Sequence, residues 1–470
     1  MSRRVAVIGG GITGLACVHR LIQGGGVEPV LLEASERLGG KIRSESDGPF
    51  VFECGPDSFL TAKPWALELM REIGLSDALV ATNTVSKNLY LYTRGRLRRY
   101  PEGLLLMAPA KVIPFLLSDL VPWAAKLRMG LDYVLPRGDG AADESLGAFA
   151  RRRFGDEALE TVVGPIMSGI FSGDPDQLSL AATFPQFKEM ERQHRSMMLG
   201  MRAAMRHRPP ASQGITMFMT LRGGMYRFVQ TLERRIPGDV VRRKTQVLGV
   251  SRSPDGKWRV AVAGGELVRA DSVVLAVPAD KDAGLLRECD PGLAGELAGI
   301  RFASTATVNL VFPSAGFPRG YEGFGFLVDR REGKSLTGVT FTSNKYPGLT
   351  PPGHTVIRCY MGGFGRDSVV GKPDGELLDI VLGDLRSIMG VTAPPERVKL
   401  FRWPDSNPQY EVGHIARLER MDARLQGHPG LLLAGSSFRG IGIPECVRSG
   451  SEAAHRVLEA GERSPAGSLV

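Results

Sequence analysis

Glycines 9, 11 and 14 form G-x-G-x-x-G directly after the apolar run Val5 to Ile8. Glycines clustered at the end of such a run let backbone pass close to another group, where a side chain would block the approach. The chemistry this spacing serves is phosphate binding. The first glycine makes a tight turn, the second admits a pyrophosphate to the backbone, and the third lets a following helix pack on the sheet. Gly10, Ile12 and Thr13 fill the intervening positions, and exposed N–H groups with the helix dipole receive the negative charge. Glu33 stands 19 residues beyond Gly14, where an acid accepts hydrogen bonds from ribose hydroxyls. Together these residues predict a dinucleotide site.

The elements that must position them are equally readable. Val5 to Ile8 is a buried parallel strand by composition. Leu15, Val18, Leu21 and Ile22 share one helical face, and Gly24 to Gly26 end the helix. Pro29 to Leu32 is the second strand, ending at Glu33. At 470 residues the chain is expected to form two or three domains. Its formal net charge of +9 is carried largely by arginine clusters, Arg94 to Arg99 and Arg151 to Arg153. That excess suits a solvated surface, an anionic substrate or an anionic membrane face. Nucleic acid is not expected, because no zinc-finger, RNA-binding or basic-zipper pattern accompanies the charge. Five scattered cysteines without C-x-x-C read as reduced thiols of a cytoplasmic protein, and Met1-Ser2 leads into a strand rather than a signal peptide. The seven histidines show no ligand spacing, so no metal is expected. Gly435 to Gly440 misses the hydrolase elbow because Arg439 replaces its last glycine. The most apolar stretch, 103–125, is interrupted by Lys111, Asp119 and prolines; it suits buried core or a channel, or a segment resting on a membrane.

Downstream of Glu33 and Ala34, Arg37-Leu38-Gly39-Gly40-Lys41 supplies R-x-G-G. With it the sequence resembles the flavin-containing amine oxidase superfamily, in which this motif lines FAD phosphates. The stretch Gly430 to Gly450, a strand, a glycine-punctuated turn and a helix, resembles the segment that closes the same flavin site. The resemblance implies a Rossmann-type FAD-binding domain with a mixed sheet, an inserted antiparallel-sheet substrate domain and a helical domain, α/β and α+β in class. The expected division is 1–86, 209–285 and 397–470 for the FAD domain, 87–208 for the helical domain with membrane contact left open, and 286–396 for the substrate domain. Within 301–366 short alternating runs read as an antiparallel sheet. Residues 461–470 read as a frayed tail.

Glu53 to Leu60, Ser168 to Pro185 and Arg402 to His414 resemble oxygen-dependent protoporphyrinogen oxidases. Thr342 to Pro347 and Gly440 to Val447 look most like the bacterial branch that prefers coproporphyrinogen III, with protoporphyrinogen IX the other substrate in view. The resemblance implies oxidation of a porphyrinogen to an aromatic porphyrin in heme biosynthesis. One non-covalent FAD, dioxygen as acceptor and hydrogen peroxide as by-product complete the expected reaction. Cofactor contacts carried over by motif are Gly9 to Gly14, Glu33, Ala34, Arg37, Gly40, Lys41, Gly55, Pro56, Asp57 and Ser58. Val247, Trp403, Gly435, Ile441, Gly442 and Ile443 join them, though Trp403 equally suits a core aromatic. For substrate, the Gly169 carbonyl is placed to polarise a pyrrole N–H, and Leu327, Thr340 and Tyr360 match positions lining the macrocycle. Arg94 is the candidate propionate partner, in a run where Arg96, Arg98 and Arg99 leave the register open. Relatives carry a bulkier apolar residue at the position of Thr340, which implies a roomier pocket. No side-chain base is expected, because aromatisation drives the reaction and the flavin carries the chemistry. Expected partners are a ferrochelatase or other heme-pathway enzymes, in the cytoplasm, with peripheral contact to the cytoplasmic membrane left open. Two other readings remain: a flavin oxidase of amines or polyenes, and a non-catalytic flavoprotein.

Overall fold

The computed structural model describes residues 2–138, 143–206 and 214–462. The chain divides into two compact units, Met1–Ala81 with Ile215–Arg301 and Ala416–Val470, and Thr82–Gly214 with Phe302–Ile415. The described residues of the expected segment 87–208 therefore share one unit with 302–396 of the expected segment 286–396 and with 397–415 of the expected FAD domain, while 286–301 falls in the other unit.

In the first unit, five parallel strands run in the order Val241–Arg242, Val27–Leu32, Arg3–Ile8, Ser272–Leu275 and Leu431–Leu433. Arg3–Ile8 is central, so Val5 to Ile8 is covered on both faces, which is why the sequence there is uniformly apolar. The helix Ile12–Gly24 follows and stops at Gly25, whose φ of 68° and N–H bond to the Leu21 carbonyl close the last turn. Ile12 to His19 and Leu21 are all buried. A one-sided helix would not bury this many residues; here the helix Ile443–Glu462 covers the second side. Leu15, Val18 and Leu21 share one core with Val447, Ala454 and Val457, each large side chain contributing about 1.5–3 kcal/mol. Contact is close enough that a Cβ on Gly450 would overlap the Thr13 carbonyl oxygen. Residues from both ends of the sequence thus form one packed pair. The tail expected at 461–470 lies largely outside the described residues.

The second unit is built on seven strands in the order Arg397–Pro408, Phe302–Pro313, His354–Gly362, Leu336–Thr340, Gly325–Val328, Leu89–Thr93 and Arg96–Arg99. All neighbours are antiparallel except Gly325–Val328 with Leu89–Thr93. Period-two alternation gives this sheet two different faces. Ala306, Val308, Leu310, Phe326, Val339, Ile357, Cys359 and Met361 pack beneath Leu377, Val381 and Leu385 of the helix Asp374–Met389. The alternate residues turn to the other face.

One expectation needs correction. The stretch 87–208 reads as mostly helical, yet its first elements are the strands Leu89–Thr93 and Arg96–Arg99 of this sheet. Leu89-Tyr90-Leu91-Tyr92-Thr93 is a good strand former, but the hairpin turn is Arg94-Gly95, with φ of 51° and 71°. Asn-Gly usually announces a turn with both central residues at positive φ, and arginine in the first position hides it. The helices Leu146–Phe154, Gly164–Phe171, Pro185–His194 and Met197–Arg206 follow as expected. At their centre Arg153 and Asp132 are fully buried as a pair. Arg153 Nε donates to Asp132 Oδ1 (2.6 Å), while Asp132 Oδ2 accepts from the Met198 N–H (2.9 Å).

The stretch 103–125 divides rather than choosing one fate. Phe115, Leu120, Val121 and Ala125 are buried, whereas Ile113, Leu117 and Trp123 face outward with Leu127. Among the described residues no helix is long and apolar enough to cross a membrane.

Candidate functional site

The glycine-rich turn divides its labour as the spacing predicts. Gly9 has φ of 104°, and a Cβ there would press on Val277 Cγ1 (2.7 Å) and the Ala276 carbonyl (2.8 Å). Gly14 needs its bareness for packing, since an added Cβ would overlap the Gly9 carbonyl oxygen. Gly11 is different: a Cβ there meets nothing within 4 Å. That open space adjoins the start of the helix Ile12–Gly24, which has no side-chain cap at Gly11. Helix N-terminal N–H groups without a cap need an outside acceptor, and a phosphate supplies one. The residues therefore fit a dinucleotide at this turn.

The R-x-G-G loop is clasped to the same turn. Gly39 N–H donates to the Gly10 carbonyl (2.8 Å), and a Cβ on Gly40 would come within 3.3 Å of Gly11 Cα. Arg37 holds the loop's shape from within, donating to the carbonyls of Leu38 (3.1 Å), Gly40 (2.7 Å) and Ile42 (3.2 Å). Glu33 does a second job that its spacing did not disclose. Its Oε2 accepts from the Gly10 N–H (2.7 Å) and its Oε1 from the Ser35 N–H (2.8 Å). The carboxylate expected at a ribose thus fixes the glycine turn itself. Ala34 is exposed beside it.

From the other end of the chain, Gly435 lies 3.8 Å (as an added Cβ) from Thr13 Oγ1, and its N–H donates to Ser449 Oγ (2.9 Å). Ile441, Gly442 and Ile443 lead into the last helix, where the Gly442 carbonyl accepts from the Cys446 N–H (3.0 Å). Burial pushes the Cys446 thiol up to about 11, although a bond to Thr13 and the Lys41 charge pull it back. Burial likewise lowers the Lys41 ammonium below lysine's ordinary value, against the pull of Cys446 and Asp280. A lysine held this way gains from an anion delivered beside it. Sequence reading placed Lys41 at the cofactor but missed Asp280 and Cys446, which local patterns cannot connect. Gly55 to Ser58 form the turn after the strand Phe50–Glu53, with Ser58 Oγ donating to Asp57 Oδ1 (2.8 Å). Val247 opens the strand Val247–Arg252 in the same unit.

The predicted substrate residues lie in the second unit and mostly converge. Leu327, Gly338, Tyr360, Thr307 and Phe401 are in register across four neighbouring strand pairs. Thr340, two residues from Gly338, shares their face, and its Oγ1 lies 3.1 Å from the Tyr360 hydroxyl. Gly169 and Gly338 make room for Leu327: a Cβ on either would come within 3.1 or 3.0 Å of Leu327 Cδ2. Trp403 lies opposite Thr305 on this same face. Buried Arg358 stands one alternation from Tyr360, its guanidinium 5.0 Å from that ring. Counting by twos from Tyr360 would have found it. The face is thus half apolar and half hydrogen-bonding, whereas the opposite face is a plain core.

Arg94 stands apart from this group. Its side-chain Nη2 donates to the carbonyls of Asp119 (2.7 Å) and Leu120 (2.6 Å), and its backbone N–H to Glu332 Oε1 (2.5 Å). These bonds hold the strained turn together. Among the described residues no three His, Cys, Asp or Glu side chains form a group able to hold a metal. All five cysteines are unbridged.

Residues 12–458 match the family described as flavin containing amine oxidoreductase. The chain is 36% identical over 468 residues to the coproporphyrinogen III oxidase of Bacillus subtilis (strain 168), covering 97% of this chain and 98% of that one. It is 33% identical to human protoporphyrinogen oxidase, over 97% of this chain and 99% of the other. A crystal structure from Exiguobacterium sp. 255-15, provisionally named a protoporphyrinogen oxidase, superposes with a TM-score of 0.87. Its identity is 33%, with 98% of this chain and 99% of that chain covered.

Proposed function

We propose, for a chain that belongs to the flavin containing amine oxidoreductase family and takes FAD, oxidation of a porphyrinogen to the aromatic porphyrin. The likeness to porphyrinogen oxidases along nearly the whole chain carries this reading. Coproporphyrinogen III is the preferred substrate, in heme biosynthesis, and protoporphyrinogen IX the second. Bound at this turn, FAD would supply hydride acceptance and reoxidation by dioxygen, each round removing two electrons and two hydrogens as hydrogen peroxide, so that the macrocycle needs three rounds to become aromatic. The chain's own residues bind and orient. The Gly9 to Gly14 turn holds the phosphates, Glu33 the ribose, and Lys41 adds a buried positive charge. Leu327, Thr340 and Tyr360 form a wall that is apolar enough for pyrrole rings, with hydroxyls to fix their tilt. Gly169 lies in the last turn of the helix Gly164–Phe171, where carbonyls have no partner further along the helix. That carbonyl accepts a pyrrole N–H and makes the adjacent meso carbon a better hydride donor.

The test is turnover in air of coproporphyrinogen III, protoporphyrinogen IX and a panel of amines, read by porphyrin fluorescence and peroxide. No fluorescence gain above autoxidation with either porphyrinogen refutes the reading. An amine substrate would favour the alternative flavin oxidase.

A peripheral position on the cytoplasmic membrane has one supporting observation. Leu117 is 83% exposed and Leu127 72%, on adjoining short helices that also expose Ile113 and Trp123. Flotation with anionic vesicles tests it, and Leu117→Glu with Leu127→Glu should abolish the association. A ferrochelatase is the natural receiver of the product, since a released porphyrin is the next metal acceptor.

A further inference from the structure

The face carrying Leu327 and Tyr360 answers to the rings of a tetrapyrrole; its carboxylates need cations at the rim. Three segments leave that face at one end. Leu327 runs on to Arg330, Tyr360 to Arg366, and Gly169 to Ser172 and Asp174. They are tied together there. The Phe364 N–H donates to the Ser172 carbonyl (2.7 Å), and Arg330 Nη1 lies 3.6 Å from Asp174 Oδ2. A Cβ on Gly365 would sit 4.0 Å from Arg330 Nη2, which places the guanidinium beside the Gly365-Arg366 backbone.

Two guanidinium groups therefore share a corner with two carboxylates, Asp174 at 3.6 Å from Arg330 and Asp384 attracting Arg366, neither held by a short fork to its arginine. The Arg330 to Asp174 separation is longer than a direct hydrogen bond. Arg366 spends its Nη2 on the Lys334 carbonyl rather than on a carboxylate. The other groups around Arg366 are Asp384, which attracts it, and Lys334, whose ammonium binds Ser387 Oγ (2.8 Å) and faces Asp384 at 3.9 Å. Burial, and then the neighbouring Arg330 charge, lower Arg366 below arginine's usual value. Like charges brought together this way are relieved when an anion arrives, and arginine suits a carboxylate by its forked geometry.

We propose that Arg330 and Arg366 form a carboxylate clamp that favours a tetracarboxylate porphyrinogen over a dicarboxylate one. Asp174 is a positioning residue, holding Arg330 at the corner. The inference rests on the porphyrinogen reading above and names the selectivity of that same site.

Arg330→Gln, Arg366→Gln and their double variant test it, with exposed Arg192→Gln, paired to Glu189, as the charge control. Each single variant should raise KM for coproporphyrinogen III by about tenfold, the loss of one charge-assisted hydrogen bond, and leave kcat nearly unchanged. KM for protoporphyrinogen IX should rise by about threefold or less, and Arg330→Lys should restore part of the loss because it keeps the charge without the fork. Fluorescence titration with coproporphyrin III itself should rank the variants in the same order. Unchanged KM and unchanged coproporphyrin III affinity in both variants would overturn the clamp. So would equal losses with both substrates, or an equal loss in Arg192→Gln. If the parent protein oxidises neither porphyrinogen, the functional reading falls, and the coproporphyrin III titration alone still decides the clamp.

Discussion

Replacing Gly11 by alanine separates cofactor binding from folding, because the structure assigns these roles to different glycines. At Gly11 the backbone has φ of −68°, which any residue adopts, and the added methyl meets nothing within 4 Å. Alanine is a poorer helix cap than glycine, but it also lowers the entropy of the unfolded chain, by about 0.4–1 kcal/mol. These terms oppose, so the stability of the apoprotein should change by no more than about 1 kcal/mol. The methyl occupies the space through which a phosphate reaches the helix N-terminus. Losing one hydrogen bond to a charged group costs roughly 1.5–3 kcal/mol, a weakening of FAD binding by about 10- to 150-fold. Gly14→Ala should do the reverse. Its methyl strikes the Gly9 carbonyl, a backbone atom that cannot turn aside, so the first helix must shift and the fold itself loses about 1–3 kcal/mol or more. Flavin fluorescence quenching during titration of the apoprotein measures affinity, and thermal unfolding of the same preparations measures stability. If Gly11→Ala holds FAD as tightly as the parent, the helix N-terminus is not the phosphate site.

Three other substitutions bear on separate features. Glu33→Gln keeps one acceptor oxygen where Gly10 and Ser35 now use two, so FAD affinity should fall by about tenfold or more on flavin titration. Arg153→Met leaves Asp132 buried without its cation and should cost about 3–5 kcal/mol in urea unfolding, with Asp132→Asn added to Arg153→Met recovering part of the loss. Asp282 is fully buried, neither carboxyl oxygen has a hydrogen-bond partner, and burial, then Asp280, raise its pKa well above the ordinary carboxylate value. A raised acid favours the fold below its unfolded pKa and loses that advantage as pH climbs toward the folded value, at about 1.4 kcal/mol per pH unit. Asp282→Asn should therefore melt higher than the parent at neutral pH, the difference closing as pH falls to about 4; a constant offset across pH would show that Asp282 does not titrate in the fold.

Local elements were readable because their causes are local. Val5 to Ile8, the three glycines, the helix and the second strand each follow from neighbours in sequence. The second duty of Glu33 was hidden because it depends on how the turn folds back, which spacing does not encode. The Leu89–Thr93 and Arg96–Arg99 hairpin was missed because an arginine occupies a left-handed turn position that tertiary bonds to Glu332, Asp119 and Leu120 sustain. The same bonds explain why Arg94 could not be told from its arginine neighbours by sequence. The wall of Leu327, Thr340 and Tyr360 was located through resemblance, and alternation alone would have extended it to Arg358. The Arg153 to Asp132 pair left no signal, since a charge in a helix reads as solvated until something covers it.

The central strand Arg3–Ile8 gains its second neighbour, Ser272–Leu275, only after most of the chain has been synthesised, and the helix that closes on Thr13 comes later still. During synthesis the earliest strand must wait with an edge unpaired, a condition that invites association with other chains. The glycine turn therefore has its full packing only once Gly450 has closed on Thr13, which makes the start of the sheet depend on a segment made much later.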